Sequence, residues 1–142
     1  MIEQIVKGDI LFATIIRSEF KTEGIKFFTG PDSPQQIGYM NRAKGYCITA
    51  HKHTEIEKII TRSFETLIIR SGTVAVYLYD EDDNFHDKVI VSKGDVVMVG
   101  NCGHGFEMLE DSEMIEIKQG PFLGDHETVR INTNNLVCSA AK

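Results

Sequence analysis

The chain has 142 residues, 42% apolar and 25% charged, and a net charge of −6 at neutral pH. Those proportions fit one soluble globular domain, large enough to bury a core without a disulfide or metal staple. The acidic balance and the lack of any basic run argue against a nucleic-acid or anionic-membrane surface, so the expected partner is a small molecule or another protein.

The opening stretch MIEQIVKGDILFATIIRSEF has charges of both signs around a short apolar run. It lacks the basic flank and small-residue cleavage site of a signal peptide, and the run is far too short to span a bilayer. The expectation is a cytoplasmic protein. From there the chain reads as strands. They are ILFATIIR (10–17), GIKFF (24–28), QIGYMN (36–41), YCITAH (46–51), ETLIIR (65–70), TVAVYLY (73–79), KVIVS (88–92), DVVMV (95–99), GFEML (105–109) and EMIEIKQ (113–119). Each is rich in β-branched or aromatic residues, and most alternate at least in part between polar and apolar. Turn signals such as GPDSP, AKG, RSG, DEDDN, SKG and QGP separate them at short intervals. ILFATIIR is apolar enough to form an edge strand in need of cover, which points to a homodimer.

No window of helical length carries a 3.6-residue apolar stripe. The best helical candidate, TEIEKIITRSF (54–64), reads as a loop or a single turn. The pattern fades in GDHETVRINTNNLVCSAAK. The expected organisation is therefore one all-β sandwich or barrel domain at 1–126, with N-terminal edge strands, and a polar tail at 127–142.

Three cysteines, Cys47, Cys102 and Cys138, form no CxxC or finger spacing, and an odd number leaves at least one unpaired. That suits a reducing compartment. Cys138 reads as a small buried hydrophobe, and the same bland reading is the ordinary one for Cys47 and Cys102.

The five histidines divide by context. His51 and His53 would share one face of an extended strand, with Cys47 and Thr49, because successive side chains alternate. Three carboxylates follow. At about 3.3 Å per residue, Glu57 lies roughly 20 Å and Glu55 roughly 13 Å from His51. Metal bonds of about 2.0–2.2 Å cannot gather side chains across the longer span. Glu65 opens the next strand, and an antiparallel neighbour would lie only about 4.8 Å away, so it is the better ligand candidate. His104 sits between glycines directly before a strand, where the backbone can approach closely. His86, beyond an acidic turn, and His126, in the polar tail, read as solvated surface residues.

These residues resemble the cupin motifs. Gly45, five residues, then His51-Lys52-His53 matches the first half of the first motif, and Glu65, six residues, then Gly72 matches the second half. The gap between the halves is eleven residues where the family has three or four, a loop insertion near the barrel mouth. The second motif is looser: Gly94 is followed by Gly100 in place of the usual proline, and His104 falls one residue early. The HGF triplet at 104–106 is shared with many cupins. The resemblance implies a single cupin jelly-roll (double-stranded β-helix) barrel. It also implies one divalent transition metal ion, Zn, Fe, Ni, Mn or Cu, held by His51, His53, Glu65 and His104. Ligand type alone does not select the metal.

More broadly, GIKFFTG (24–30), QQIGYM (35–40) and HGFEMLEDSEMIEIKQGPF (104–122) resemble small cupins encoded among bacterial surface-polysaccharide genes. That implies an isomerase- or epimerase-like role on a sugar or nucleotide sugar, with Arg70 and Lys118 as candidate phosphate contacts. Metal-free sugar ketoisomerases of the same superfamily use paired histidines as acid and base. The alternatives are a metal-dependent dioxygenase, in which Cys47 or Cys102 could take part, and a non-catalytic sugar-binding module. One fold hosts many chemistries, so the site has to carry the choice.

Overall fold

A computed structural model describes residues 1–131 of the chain. Ten strands follow in order: β1 (Ile2–Lys7), β2 (Ile10–Ile16), β3 (Gly24–Phe27), β4 (Gly38–Asn41), β5 (Glu65–Ser71), β6 (Thr73–Tyr79), β7 (Phe85–Ser92), β8 (Val96–Val99), β9 (Gly103–Met108) and β10 (Glu113–Lys118). A short 3-10 turn at Gly124–Glu127 is the only helical element among the described residues. No helix there is long and apolar enough to cross a membrane. Cys138 and most of the expected tail lie outside the described residues.

The all-β class follows from the alternation in the sequence. One sheet has the order β1-β2-β8-β5-β10, a second β7-β6-β9, and β3 with β4 makes a small third. Every ladder is antiparallel, and no sheet closes on itself as a barrel. Leu67, Ile69, Val97 and Val99 of the large sheet meet Val74, Val76, Leu78 and Val91 of the second in one buried cluster. The two sheets therefore pack face to face, with alternate residues of each strand turned inward. Burying each such aliphatic side chain stabilises the fold by about 1.5–3 kcal/mol.

β6 is buried on both faces, which explains the almost unbroken apolar run TVAVYLY. Its other row, Ala75, Tyr77 and Tyr79, packs with Ile131. The outer face of the large sheet carries a second cluster, Ile16, Ile37, Phe64 and Met98. At the β5–β6 turn Gly72 has φ +78°, and a Cβ there would lie 2.8 Å from Ser112 Cα, so only glycine fits.

A buried acid ties the far end together. Asp95 accepts hydrogen bonds from Ser18 N at 2.8 Å, Ser92 N at 3.0 Å and Arg17 Nη1 at 2.9 Å. The same guanidinium grips both oxygens of Glu3, at 2.7 and 3.0 Å. Burial on its own would raise the Asp95 pKa, but the two backbone N–H donors and Arg17 outweigh it and hold the carboxyl below its ordinary range.

Two expectations need correcting. ILFATIIR is not an edge strand: β1 pairs with β2 on one side and β8 on the other, so the apolar strand is internal and its bare edge is covered from within the chain. The turn through Gly8, at φ +59°, makes this pairing local. The second correction concerns YCITAH. Residues 42–64 contain no strand, and Tyr46 and Ile48 are 56% and 57% exposed. Tyr46 N instead closes a turn on Ala43 O at 3.2 Å, and Gly45 takes φ +90°. β-branched and aromatic residues favour a pleated surface only where a neighbouring strand supplies the ladder, and here none lies alongside.

Candidate metal centre

Glu65 is the first residue of β5, two positions before Leu67 and four before Ile69, and so it points along the inward row at the mouth of the sandwich. His104 belongs to β9 of the opposite sheet. It stands opposite Leu78, and its inward neighbours Cys102 and Phe106 pack on the core. The two side chains meet across the mouth, with His104 Nε2 and Glu65 Oε2 3.0 Å apart. Residues 39 positions apart in the chain are thus brought together by the packing of one sheet on the other.

This pair is partly shielded, the side chains being 25% (His104) and 18% (Glu65) exposed. The Phe106 ring lies 5.4 Å from the imidazole, centroid to centroid. Lys118 faces Glu65 across the β5–β10 ladder, and its Nζ lies 4.0 Å from Glu65 Oε1 and 3.4 Å from Glu116 Oε1. The Glu65 pKa is lowered, first by the hydrogen bond from His104, against the opposing effect of burial, and further by the charges of His104 and Lys118. The carboxylate is therefore held ionised. With Nε2–H donating to it, Nδ1 is the other polar atom of the His104 ring. That atom, Nδ1, is buried and has no hydrogen-bond partner among the described residues.

His51 and His53 stand apart from this pair on the exposed segment that precedes β5. Their rings lie 5.4 Å apart, and His51 Nδ1 is 2.9 Å from Thr49 O. The expected four ligands thus form two pairs. Among the described residues no three His, Cys, Asp or Glu side chains stand close enough to share an ion. The donors fit a transition metal in kind, three imidazoles and one carboxylate with one buried nitrogen unsatisfied, but the strand expected to carry two of them is not in place.

The neighbouring residues sort differently from the sequence reading. Glu55 and Glu57 are exposed in the loop. Cys47 is exposed, so it shares no inward face with His51. Cys102 does share the inward face of His104; burial pushes its thiol up to about 12, and its Sγ lies 3.6 Å from Phe12 O. It is a packing residue rather than a nucleophile. His86 is not simply solvated: its Nε2 is 3.1 Å from Val6 O and its ring meets Phe12 edge-on at 5.0 Å. His126 is exposed in the 3-10 turn, as expected. Arg70 is exposed toward the opposite end of β5, while Lys118 is the cross-strand neighbour of Glu65. The role of Lys118 depends on β10 pairing with β5, a register that no local pattern announces.

A cleft of about 840 Å³ opens at the same end of the sandwich, between the β1–β2, β6–β7 and β8–β9 turns. Phe12 and Cys102 line it along with Lys7, Arg62, Asp80 and Asn101. Lys7 is tied to Asp80 at 2.9 Å. The volume lies in the range of small-molecule sites, and the mix of apolar wall and charged rim suits a polar ligand. No family model, no curated protein and no solved structure matches the chain.

Proposed function

We propose that the chain is a small cupin of the jelly-roll type that binds one divalent transition metal ion and acts on a sugar or nucleotide sugar as an isomerase or epimerase. His51, His53, Glu65 and His104 would hold the ion. The observation that carries the reading is the Glu65–His104 pair, set across the mouth of the sandwich at the end where a cleft opens that neither side chain lines, with His104 Nδ1 unsatisfied. Two sheets packed face to face around an inward Glu and an inward His are consistent with a jelly roll, and the motif spacing adds the two remaining imidazoles.

A bound divalent ion supplies Lewis acidity beside a carbonyl. The chain's own contribution is a carboxylate held ionised by its partner beside an imidazole, the kind of pair that proton transfer next to a carbonyl uses. Phe106 and the aliphatic core behind it limit water at that point. Arg62 lines the cleft and would meet a phosphate there, since Lys7 is already bound to Asp80, while Arg70 lies toward the far end of β5. The dioxygenase alternative draws no support from the cysteines, since Cys102 is partly buried with its thiol held protonated and Cys47 is exposed apart from the Glu65–His104 pair.

The test is metal analysis of tag-free protein followed by a thermal-shift screen of nucleotide sugars and sugar phosphates, then solvent-deuterium incorporation into any ligand that binds. A ligand that binds the folded state raises the melting temperature by mass action. Metal far below one equivalent under all conditions would sink the metal reading; ligand binding without deuterium exchange would leave a binding module. The homodimer remains part of the proposal, although its original ground, a bare edge on β2, is removed by β1, so light scattering is the direct check.

A further inference from the structure

We propose that β10 pairs with β10 of a second copy of the chain, antiparallel about a two-fold axis through Ile117, and that this contact places the partner's Glu116 against Lys118 beside Glu65. The proposal gives a surface to the homodimer of the reading above and stands apart from its metal and sugar parts.

β10 ends its sheet: β5 pairs along one side, and among the described residues no strand pairs along the other. Five of its six residues are exposed, and only Met114 is half-buried. Other edges carry blocks of their own. On β1 the Val6 carbonyl lies 3.1 Å from His86 Nε2, and on β7 the Ile90 carbonyl accepts from Arg17 Nη1 at 2.6 Å. No turn or loop among the described residues closes on the β10 backbone. Ile131, the last described residue, packs on the outer row of the other sheet. A strand edge of this kind is a template for one more strand.

The outer face shows where cover is missing. Ile16, Met98 and Thr66 are buried there beneath Ile37 and Phe64, with Thr66 Oγ1 donating to Gln35 Oε1 at 2.8 Å. The cover stops at β5. In the next strand Ile117, opposite Thr66, and Ile115, opposite Ile68, are 47% and 46% exposed. On the inward face Glu116 and Lys118 stand opposite Leu67 and Glu65.

Those residues select the partner and the register. A two-fold axis normal to the sheet keeps each face on its own side, so inward residues meet inward ones. Opposite charges directly across two strands attract and like charges repel. Centring the pair on Glu116 sets Glu116 against Glu116 of the partner subunit, and centring it on Lys118 does the same with two lysines. Centring it on Ile115 leaves both charged side chains without an opposite charge. Only the register centred on Ile117 sets Glu116 against the partner's Lys118, twice over. The same register puts Ile117 against its own mate and Ile115 on the diagonal, so four exposed isoleucines gather on the outer face. Lys118 Nζ already lies 4.0 Å from Glu65 Oε1, so the partner's Glu116 joins the charges around each Glu65–His104 pair.

The experiment is sedimentation velocity on the full chain from about 1 to 200 µM, where a dimer that forms with concentration is expected. Glu116→Lys sets like charges opposite in both pairs and should weaken the dimer about tenfold or more; adding Lys118→Glu should return it to within about threefold of wild type. In a Cys47→Ser, Cys138→Ser background, Ile117→Cys changes one exposed side chain and leaves the charges alone. Its directly opposite Cα atoms, about 4.5–5.5 Å apart, suit a disulfide, so mild oxidation should give a reducible covalent dimer. Ile115→Cys should give none, since its mate lies four positions away, about 13 Å. A monomer at every concentration overturns both the homodimer and this surface. A dimer that Ile117→Cys does not cross-link overturns the surface and leaves the homodimer standing. A dimer that cross-links but keeps its affinity in Glu116→Lys overturns the charge pairing. Slow hydrogen exchange across 113–118 in dilute monomer shows an edge covered within one chain and overturns the proposal.

Discussion

Replacing His104 with alanine removes the donor that most depresses the Glu65 pKa. Burial then acts on a carboxylate supported only by Lys118, 4.0 Å away and already shared with Glu116 at 3.4 Å. The Glu65 titration should therefore move upward, toward or past the ordinary value of 4.5. A charge-assisted hydrogen bond contributes about 1.5–3 kcal/mol when well buried. This one is partly exposed, so screening by solvent reduces the expected coupling to about 1–2 kcal/mol. A double-mutant cycle of His104→Ala and Glu65→Ala in urea separates that coupling from the loss of ring packing on Phe106. The sign with pH is set by the depressed pKa. The stabilisation is complete above the unfolded value and is lost as the pH falls through the folded value. Carbon-13 NMR of the glutamate carboxyls gives the midpoint directly. A Glu65 midpoint that stays put in His104→Ala, together with a coupling within about 0.3 kcal/mol of zero, would refute the pairing.

Asp95→Ala leaves two backbone donors without their acceptor and takes one partner from Arg17, which keeps Glu3, so a loss of about 1–3 kcal/mol is expected in chemical denaturation. Because the Asp95 pKa is also depressed, wild-type protein should lose stability as the pH falls below the ordinary aspartate value, and the variant should lose less over that window. Gly72→Ala should cost about 2 kcal/mol or more, read as a lowered urea midpoint, since both φ and the space at Ser112 exclude a Cβ. A thiol reagent at pH 8, followed by peptide mapping, should label Cys47 rapidly and the partly buried Cys102, whose thiol is pushed up to about 12, much more slowly; equal rates would contradict the shielding of Cys102.

The strands that can be read from a local pattern are those whose inward row meets a core. ETLIIR, TVAVYLY and DVVMV alternate or run apolar because β5, β6 and β8 bury one or both faces, and they appear within a residue or two of the expected bounds. KVIVS covers only the second half of β7, which begins at Phe85; its exposed and half-buried first residues carry no apolar alternation but still complete the ladder with β6. β1 shows no such alternation either, and only its pairing with β2 makes it a strand. YCITAH carries the compositional signal without the partner, which is why composition misread it.

The site divides along the same line. Motif spacing and strand parity put Glu65 and His104 forward together with His51 and His53, and the structure brings only the first two into contact. Their distance, the lysine opposite, the unsatisfied Nδ1 and the protonated state of Cys102 depend on which sheet lies against which. Side-chain alternation is a property of a single strand and is written in a few consecutive residues. Pairing order and register arise between segments tens of residues apart, through backbone groups that every residue shares. A histidine can therefore announce itself in the sequence, but the company it keeps is settled only when the sheets close on their common core.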